Sequence, residues 1–209
     1  ATPFSLATAI FMTEISPELG KRFVQPAVEI FVGIPSVVYG WIGLTILVPL
    51  IKNIFNLRFG FSVLAAGIVL AIMIFPTITS LAADALRSIP KSYRAASYGL
   101  GATRWQTIAK VVVPAAVTGL MTAVILGLAR AFGEALAVAM VIGKMRAFPS
   151  SLLAPTNNLT AAIAADMGGA MEGSEYNIAL WTMALLLFII SLVCIFAIHF
   201  LTAKGGKQA

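Results

Sequence analysis

Apolar residues run together along this chain in stretches too long for a soluble core, and the polar residues gather between them. A helix needs about 20 predominantly apolar residues to cross a bilayer. Four runs reach that length: 25–51 (QPAVEIFVGIPSVVYGWIGLTILVPLI), 61–83 (FSVLAAGIVLAIMIFPTITSLAA), 114–143, and 177–203 (NIALWTMALLLFIISLVCIFAIHFLTA). The opening residues, ATPFSLATAIFM (1–12), read as the end of a longer apolar segment and count as a fifth, partial span. They lack the basic flank and cleavage site of a signal peptide, so the chain reads as truncated at its N-terminus. Pro35 and Pro76 fall inside runs, and each removes a backbone hydrogen bond that kinks or interrupts its helix. Gly33-Ile34-Pro35-Ser36 is the stronger break, either a packing kink or a working hinge.

Composition agrees with the pattern. The chain has 209 residues, 60% hydrophobic and 11% charged, where soluble domains carry about 25% charged residues. Mean hydropathy is +0.98. The fold class expected is an all-α membrane protein, one bundle over 1–209, multi-pass in a lipid membrane. The net charge of +6 does not point to nucleic acid, because the basic residues stand at the ends of apolar runs. Segment 13–24 holds Lys21 and Arg22, 84–113 holds Arg87, Lys91, Arg94, Arg104 and Lys110, and the tail holds Lys204 and Lys207. On the other side, 52–60 holds Lys52 and Arg58, and 144–176 holds Lys144 and Arg146. That division of nine against four assigns the first group to the cytoplasm by the positive-inside rule. It leaves 144–176 outside and puts Trp181 at the outer interface.

Enzymatic chemistry finds no support. Cys194 is a lone cysteine in an apolar run and reads as packing. The one histidine, His199, sits near the cytoplasmic end of the last span. No H-E-x-x-H, G-x-S-x-G or G-x-x-x-x-G-K-[ST] motif occurs, so no metal or cofactor is expected and any ATP hydrolysis belongs to a partner. Asn158-Leu159-Thr160 is formally a glycosylation sequon. Residues 157–170 read instead as a short outer helix with Asn157 as its cap, either covering the outer mouth or lying plainly on the surface.

Residues 84–113, DALRSIPKSYRAASYGLGATRWQTIAKVVV, are long for a connection in a bundle, and such loops tend to be functional. Ala95, Tyr98, Ala102, Trp105 and Ile108 recur at helical spacing and are expected on one face. Gly99 and Gly101 interrupt that pattern and permit a turn. The expectation is two short helices at an angle, lying at the cytoplasmic surface.

This loop carries a resemblance. Permeases of bacterial ABC importers share a cytoplasmic signature of E-A-A, three residues, G, nine residues and I-x-L-P. Anchored on Gly101, it puts Ala95, Ala96 and Ser97 on the E-A-A positions, and Val111, Val113 and Pro114 on the I, L and P positions. Ala95 replaces the glutamate of the pattern. GIPSVVYGWIGL (33–44), SYGLGATRWQTIAKVVVPAA (97–116) and GLARAFGEALAVAMVIG (127–143) resemble phosphate importer permeases. Together with NLTAAIAADMGGA (158–170), the third stretch is similar to their C-type subunit. The resemblance covers nearly the whole chain. It implies the type I importer permease fold, called MetI-like, in the bacterial cell membrane. It also implies a permease, not an enzyme, that moves phosphate by alternating access. The implied partners are a related A-type permease, two ATP-binding subunits and an extracytoplasmic phosphate-binding protein. Arg94, Ala95, Ala96, Ser97, Gly101, Arg104, Trp105 and Pro114 would then form the coupling loop that docks on the ATPase. The same fold carrying another substrate, such as sulfate or an amino acid, and a passive anion channel are the alternatives.

One charged pair stands inside a run. Arg130 and Glu134, in RAFGE, are four apart and on a helix would share one face. Counted from Pro114, Arg130 lies roughly 24 Å along the helix at 1.5 Å per residue, in the outer half of the membrane. Ionisable residues there mark functional sites by default. The pair is expected either to line the anion path, together with Pro35 and Ser36, or to fix the helix as a buried ion pair.

Overall fold

The computed structural model describes residues 1–205, and the side chains of residues 1–200. The basic tail expected at Lys204 and Lys207 falls outside the described side chains. Every regular element among the described residues is helical. Helix α1, Thr2–Ile10, continues as a π turn over Phe11–Ile15. After Ser16 the chain is helical over 17–33 (α2), through a π turn at Gly20–Val24 and on into Gln25–Gly33. There follow α3 (Ser36–Ile54), α4 (Val63–Arg87), α5 (Lys91–Gly99), α6 (Arg104–Gly133), α7 (Leu136–Val141), α8 (Leu159–Asp166) and α9 (Glu175–Gly205).

Helices α3, α4, α6 and the Glu175–Phe200 part of α9 are long and apolar enough to cross a membrane. Each matches one apolar run of the sequence, but the boundaries move. The run 25–51 is not one span. It is cut at Ile34-Pro35, where Pro35 takes φ −58° and ψ 140° and the new helix starts at Ser36. A residue before proline is pushed out of the α region, which stops α2 at Gly33. Pro76, by contrast, is held within a continuous α4, as membrane bundles allow where neighbours re-satisfy the backbone. The run 114–143 begins earlier, at Arg104, and its helix stops at Gly133.

The π turns are tied to proline. Four occur among the described residues, at Phe11–Ile15, Gly20–Val24, Gly43–Leu47 and Ile108–Val112. Each ends two residues before a proline: Pro17, Pro26, Pro49 and Pro114. A proline lacks the N–H that would bond four residues back, and its ring crowds that carbonyl. At Pro26, Pro49 and Pro114 widening the preceding turn by one residue moves that carbonyl aside, whereas before Pro17 the helix ends at Ser16. In two of these turns the Thr13 and Thr45 hydroxyls donate to the carbonyls of Ala9 (2.8 Å) and Trp41 (2.9 Å).

Backbone contacts divide the chain into two compact units. The first comprises Ala1–Gly33, Ile74–Leu128 and the described residues from Cys194 onward. Its core is made of small and medium apolar side chains: Ala9 and Met12 of the N-terminal segment, Ala82, Ala83 and Leu86 of α4, and Val112, Ala116, Leu120 and Ala123 of α6. Small residues let helix backbones approach, the usual packing in lipid. At Gly127 an added Cβ would overlap the Ile78 side chain.

The second unit comprises Ile34–Met73 and Ala129–Val193. Here α3 packs on α7, with Gly40 so close that a Cβ would lie 2.8 Å from the Ala137 Cα. Val63 and Leu64, at the start of α4, donate to the carbonyls of Ala154 (3.2 Å) and Leu152 (2.8 Å) and pin the 144–158 segment. The short outer helix expected over 157–170 is α8, extended by a 3₁₀ turn at Met167–Gly169. Its cap is Asn158 rather than Asn157. Asn158 has the extended backbone a cap requires, and its side chain accepts from the Ala161 N–H at 2.7 Å.

Candidate functional site

Two regions bring chemistry-bearing residues together, one in each unit. In the first unit the connection between spans is shorter than 84–113. Helix α4 runs to Arg87 and α6 starts at Arg104, so residues 88–103 remain. The first expected short helix is present as α5. The second is not separate, because Arg104–Thr107 is the opening turn of the long α6. Thr103 caps it with a reciprocal box: its hydroxyl accepts from the Gln106 N–H, and the Gln106 side chain accepts from the Thr103 N–H at 2.8 Å. The shared face expected for Ala95, Tyr98, Ala102, Trp105 and Ile108 does not exist, since they belong to two helices and a turn. Trp105 is 68% exposed, whereas Ile108 is buried.

The turn between α5 and α6 rests on Gly101, whose φ is +79°. Nothing lies within 4 Å of where its Cβ would be, so glycine is favoured there by backbone conformation, not by lack of room. Ser97 is buried and its hydroxyl pairs with that of Thr107 at 2.9 Å, closing the α5–α6 corner. Ala95 and Ala96 are exposed, and so is Pro114 within α6. Tyr93, Tyr98, Leu100 and Trp105 project as exposed large apolar side chains around this corner.

Arg94 faces inward. Its guanidinium grips the Glu14 carboxylate with two bonds, Nε to Oε2 at 3.1 Å and Nη2 to Oε1 at 2.5 Å. It also donates to the carbonyls of Ile89 (2.8 Å) and Leu86 (3.0 Å). The bonded Glu14 carboxylate raises the guanidinium above its already high value, against the opposing effect of burial. Arg104 donates to the backbone carbonyl of the same Glu14. Sequence reasoning missed Glu14, which lies far from Arg94 in the chain. It also passed over Glu29, an acid inside an apolar run, which accepts from Gln25 at 2.8 Å, while Gln25 in turn accepts from Arg87 at 2.9 Å.

The second unit holds Pro35, Ser36, Arg130 and Glu134. Pro35 is exposed and Ser36 half-buried at the start of α3. Arg130 lies in the last turn of α6, but Glu134 lies beyond its end at Gly133. The two therefore do not share a face of one helix. Glu134 instead turns towards α7, and its Oε1 accepts from the Ala137 N–H at 2.9 Å. Its backbone carbonyl accepts from the Thr160 hydroxyl at 2.8 Å. The guanidinium of Arg130 lies close enough to act electrostatically on Tyr39, a buried residue of α3 that the sequence had not singled out.

A cavity of about 640 Å³ in the same unit is lined mainly by apolar groups, among them Phe132, Met183 and Leu187. Arg146 is its cationic lining residue, and neither Arg130 nor Glu134 borders it. Arg146 pairs with Asp166 at 3.1 Å and stacks over the Tyr176 ring at 4.3 Å. The Tyr176 hydroxyl donates to the same Asp166 carboxylate. That hydroxyl, with Arg146 second, holds Asp166 below the usual carboxylate value.

Comparison with known proteins agrees with this architecture. The family model described as "Binding-protein-dependent transport system inner membrane component" matches residues 3–204. The probable ABC transporter permease protein YqgH of Bacillus subtilis (strain 168) is 55% identical over 204 residues, 98% of this chain. The phosphate transport system permease protein PstC of Haemophilus influenzae is 39% identical over 210 residues, 91% of this chain. The chain spans 66% of the length of each of these two relatives. Among solved structures, an inward-facing MetNI methionine ABC transporter chain superposes with a TM-score of 0.68 at 21% identity. That match covers 95% of this chain and 84% of the other, a likeness of fold.

Proposed function

We propose that this chain, which belongs to the binding-protein-dependent transport system inner membrane component family, is the C-type permease subunit of an ATP-driven phosphate importer. The observation that carries the reading is the corner formed by α5 and the start of α6. It is a turn between two spans with Tyr93, Tyr98, Leu100 and Trp105 exposed, the character expected of a surface that seats on another protein. Its occupant is the ATP-binding subunit, of which the importer has two. Support for phosphate, and for the C-type, comes from the 39% identity with PstC.

In this reading the chain pairs with a related A-type permease and receives phosphate from an extracytoplasmic binding protein. ATP-driven closure of the ATPase pair moves the docked corners, and the spans rock to expose the path alternately to either side. Pro35, Ser36, Arg130 and Glu134 belong to that path. Arg130 offers planar donors suited to phosphate oxygens, and the Tyr39 hydroxyl stands within its electrostatic reach.

The test is uptake of labelled phosphate by cells lacking this subunit, with and without the expressed full-length protein. Phosphate uptake restored by the wild type, and absent when the partner ATPase is inactivated, is the expected result. Restored uptake of sulfate or an amino acid, with none of phosphate, overturns the substrate. Uptake that persists without the ATPase makes the protein a passive channel.

A further inference from the structure

We infer that Glu14 is a positioning residue for energy coupling: through Arg94 and Arg104 it clamps the docking corner to the N-terminal segment, so that movement of the corner is carried into α1. The inference rests on the importer reading above and names a residue that the reading does not use.

Helix α5 has nine residues, and Ser97 is its sole buried one. A helix so short is marginal by itself, and apolar burial does not hold this one in place. What holds it is polar. Two bonds from Arg94 reach the Glu14 carboxylate, and two more reach the carbonyls of Leu86 in the last turn of α4 and Ile89 just beyond it. The Glu14 side chain is 8% exposed and that of Arg94 20%, so the pair is shielded from the screening that weakens surface ion pairs. The forked geometry fixes direction as well as distance.

Glu14 is gripped from both sides of the Gly101 turn. Arg94 precedes the turn and takes the carboxylate, while Arg104 follows it and takes the backbone carbonyl. That carbonyl belongs to the π turn closing the N-terminal helix, where end carbonyls lack partners of their own. The corner and the end of the N-terminal segment are thereby one mechanical piece. Residues 88–90 connect α5 to α4, and Arg94 and the Ser88 hydroxyl tie that link back to α4 but not to the N-terminal segment. Without the Glu14 carboxylate, a push taken up by α5 would pass into α4 rather than α1.

The experiment uses the full-length permease in two settings. In proteoliposomes with the complete importer, Glu14→Gln keeps an acceptor oxygen but loses the charge and the fork. ATPase copurification and ATP hydrolysis are expected to persist, while phosphate moved per ATP falls by about ten-fold or more. A merely structural role would lower assembly and hydrolysis together and leave that ratio alone. In the isolated permease, amide exchange of residues 91–99 should quicken by about ten-fold while that of 63–85 stays at the wild-type rate. A wild-type ratio of phosphate to ATP in the variant overturns the coupling role, and so does loss of copurification. Unchanged exchange at 91–99 overturns the clamp whatever the substrate is. A wild-type complex that moves no phosphate refutes the importer reading instead, and the exchange measurement still decides the clamp.

Discussion

Replacing Gly101 by alanine separates backbone conformation from packing at the α5–α6 corner proposed to dock. Gly101 has φ +79°, and an added Cβ would meet nothing within 4 Å. The whole cost is therefore conformational, about 1–2 kcal/mol for an L-residue in a left-handed conformation. At about 1.4 kcal/mol per ten-fold, that is a factor of roughly 5–30 in the equilibrium constant for closing the turn. A permease with the turn opened must re-form it to bind, so the apparent affinity for the ATPase subunit falls by up to that factor, in full where the opened form predominates. The assay is a titration of purified ATPase subunit onto full-length permease in lipid nanodiscs. Asparagine tolerates this region through local hydrogen bonding, so Gly101→Asn should bind within about three-fold of wild type. Gly101→Val should bind more weakly than Gly101→Ala, because β-branching stiffens the residue further. Alanine and asparagine variants with equal affinities would refute the conformational argument. Wild-type affinity for the alanine variant would show that docking does not depend on glycine at this turn.

Arg130→Gln should leave an assembled importer with measurable ATP hydrolysis and no phosphate transport; transport restored by adding Glu134→Gln would show that the arginine only balances the acid. Glu134→Ala should cost about 1 kcal/mol in thermal unfolding through loss of the hydrogen bond from the Ala137 N–H in the first turn of α7, an effect Glu134→Gln largely avoids because it keeps an acceptor. Asp166 titrates below its usual value in the fold, so its contribution is complete above the ordinary carboxylate pKa of about 4 and is lost as pH falls through the depressed value. Protection against amide exchange in 159–176, after correction for the intrinsic pH dependence of exchange, should therefore fall on acidification, and Asp166→Asn should abolish that fall. Gly127→Ala should lower stability by about 1–3 kcal/mol through overpacking against Ile78, whereas Gly133→Ala, with open space around it, serves as the control in the same melt.

The long apolar runs were legible because hydropathy needs no tertiary knowledge: each of α3, α4, α6 and α9 lies on one of them. Where they stop was less so. Ile34-Pro35 was readable as a break, but the end of α6 at Gly133 was not, because RAFGEAL has no proline and continues a helical pattern. The charged pair was visible for its oddity in an apolar run. Its geometry was not, since Glu134 is diverted to the first turn of α7 by a local competition that only the fold decides. The turn between α5 and α6 was legible from its glycine, whereas the helical spacing misled, because Arg104–Thr107 opens the long α6 instead of forming a separate helix. Glu14 was out of reach of any local pattern, because its partnership with Arg94 spans 80 positions and nothing in the surrounding residues marks it. Tyr39 likewise carries no mark in the sequence until α3 is placed.

The π turn before Pro114 changes how α6 keeps phase. Its buried positions Ile108, Val112, Ala116 and Leu120 step by four each time, and a helix of about 3.6 residues per turn would let such a series drift by roughly one residue. The turn over Ile108–Val112 holds one residue more than an α turn, which cancels the drift and keeps the series on one side. The helix thus carries a supernumerary residue without rotating the turns beyond it. Removing one residue within 108–112 would leave the faces of Ala116 and Leu120 where they are. Removing one after Val113 would swing everything beyond by about 100°, taking Ala123 and Gly127 off the side they now share. Across such a turn, a change in length preserves the faces on one side of the proline and changes them on the other.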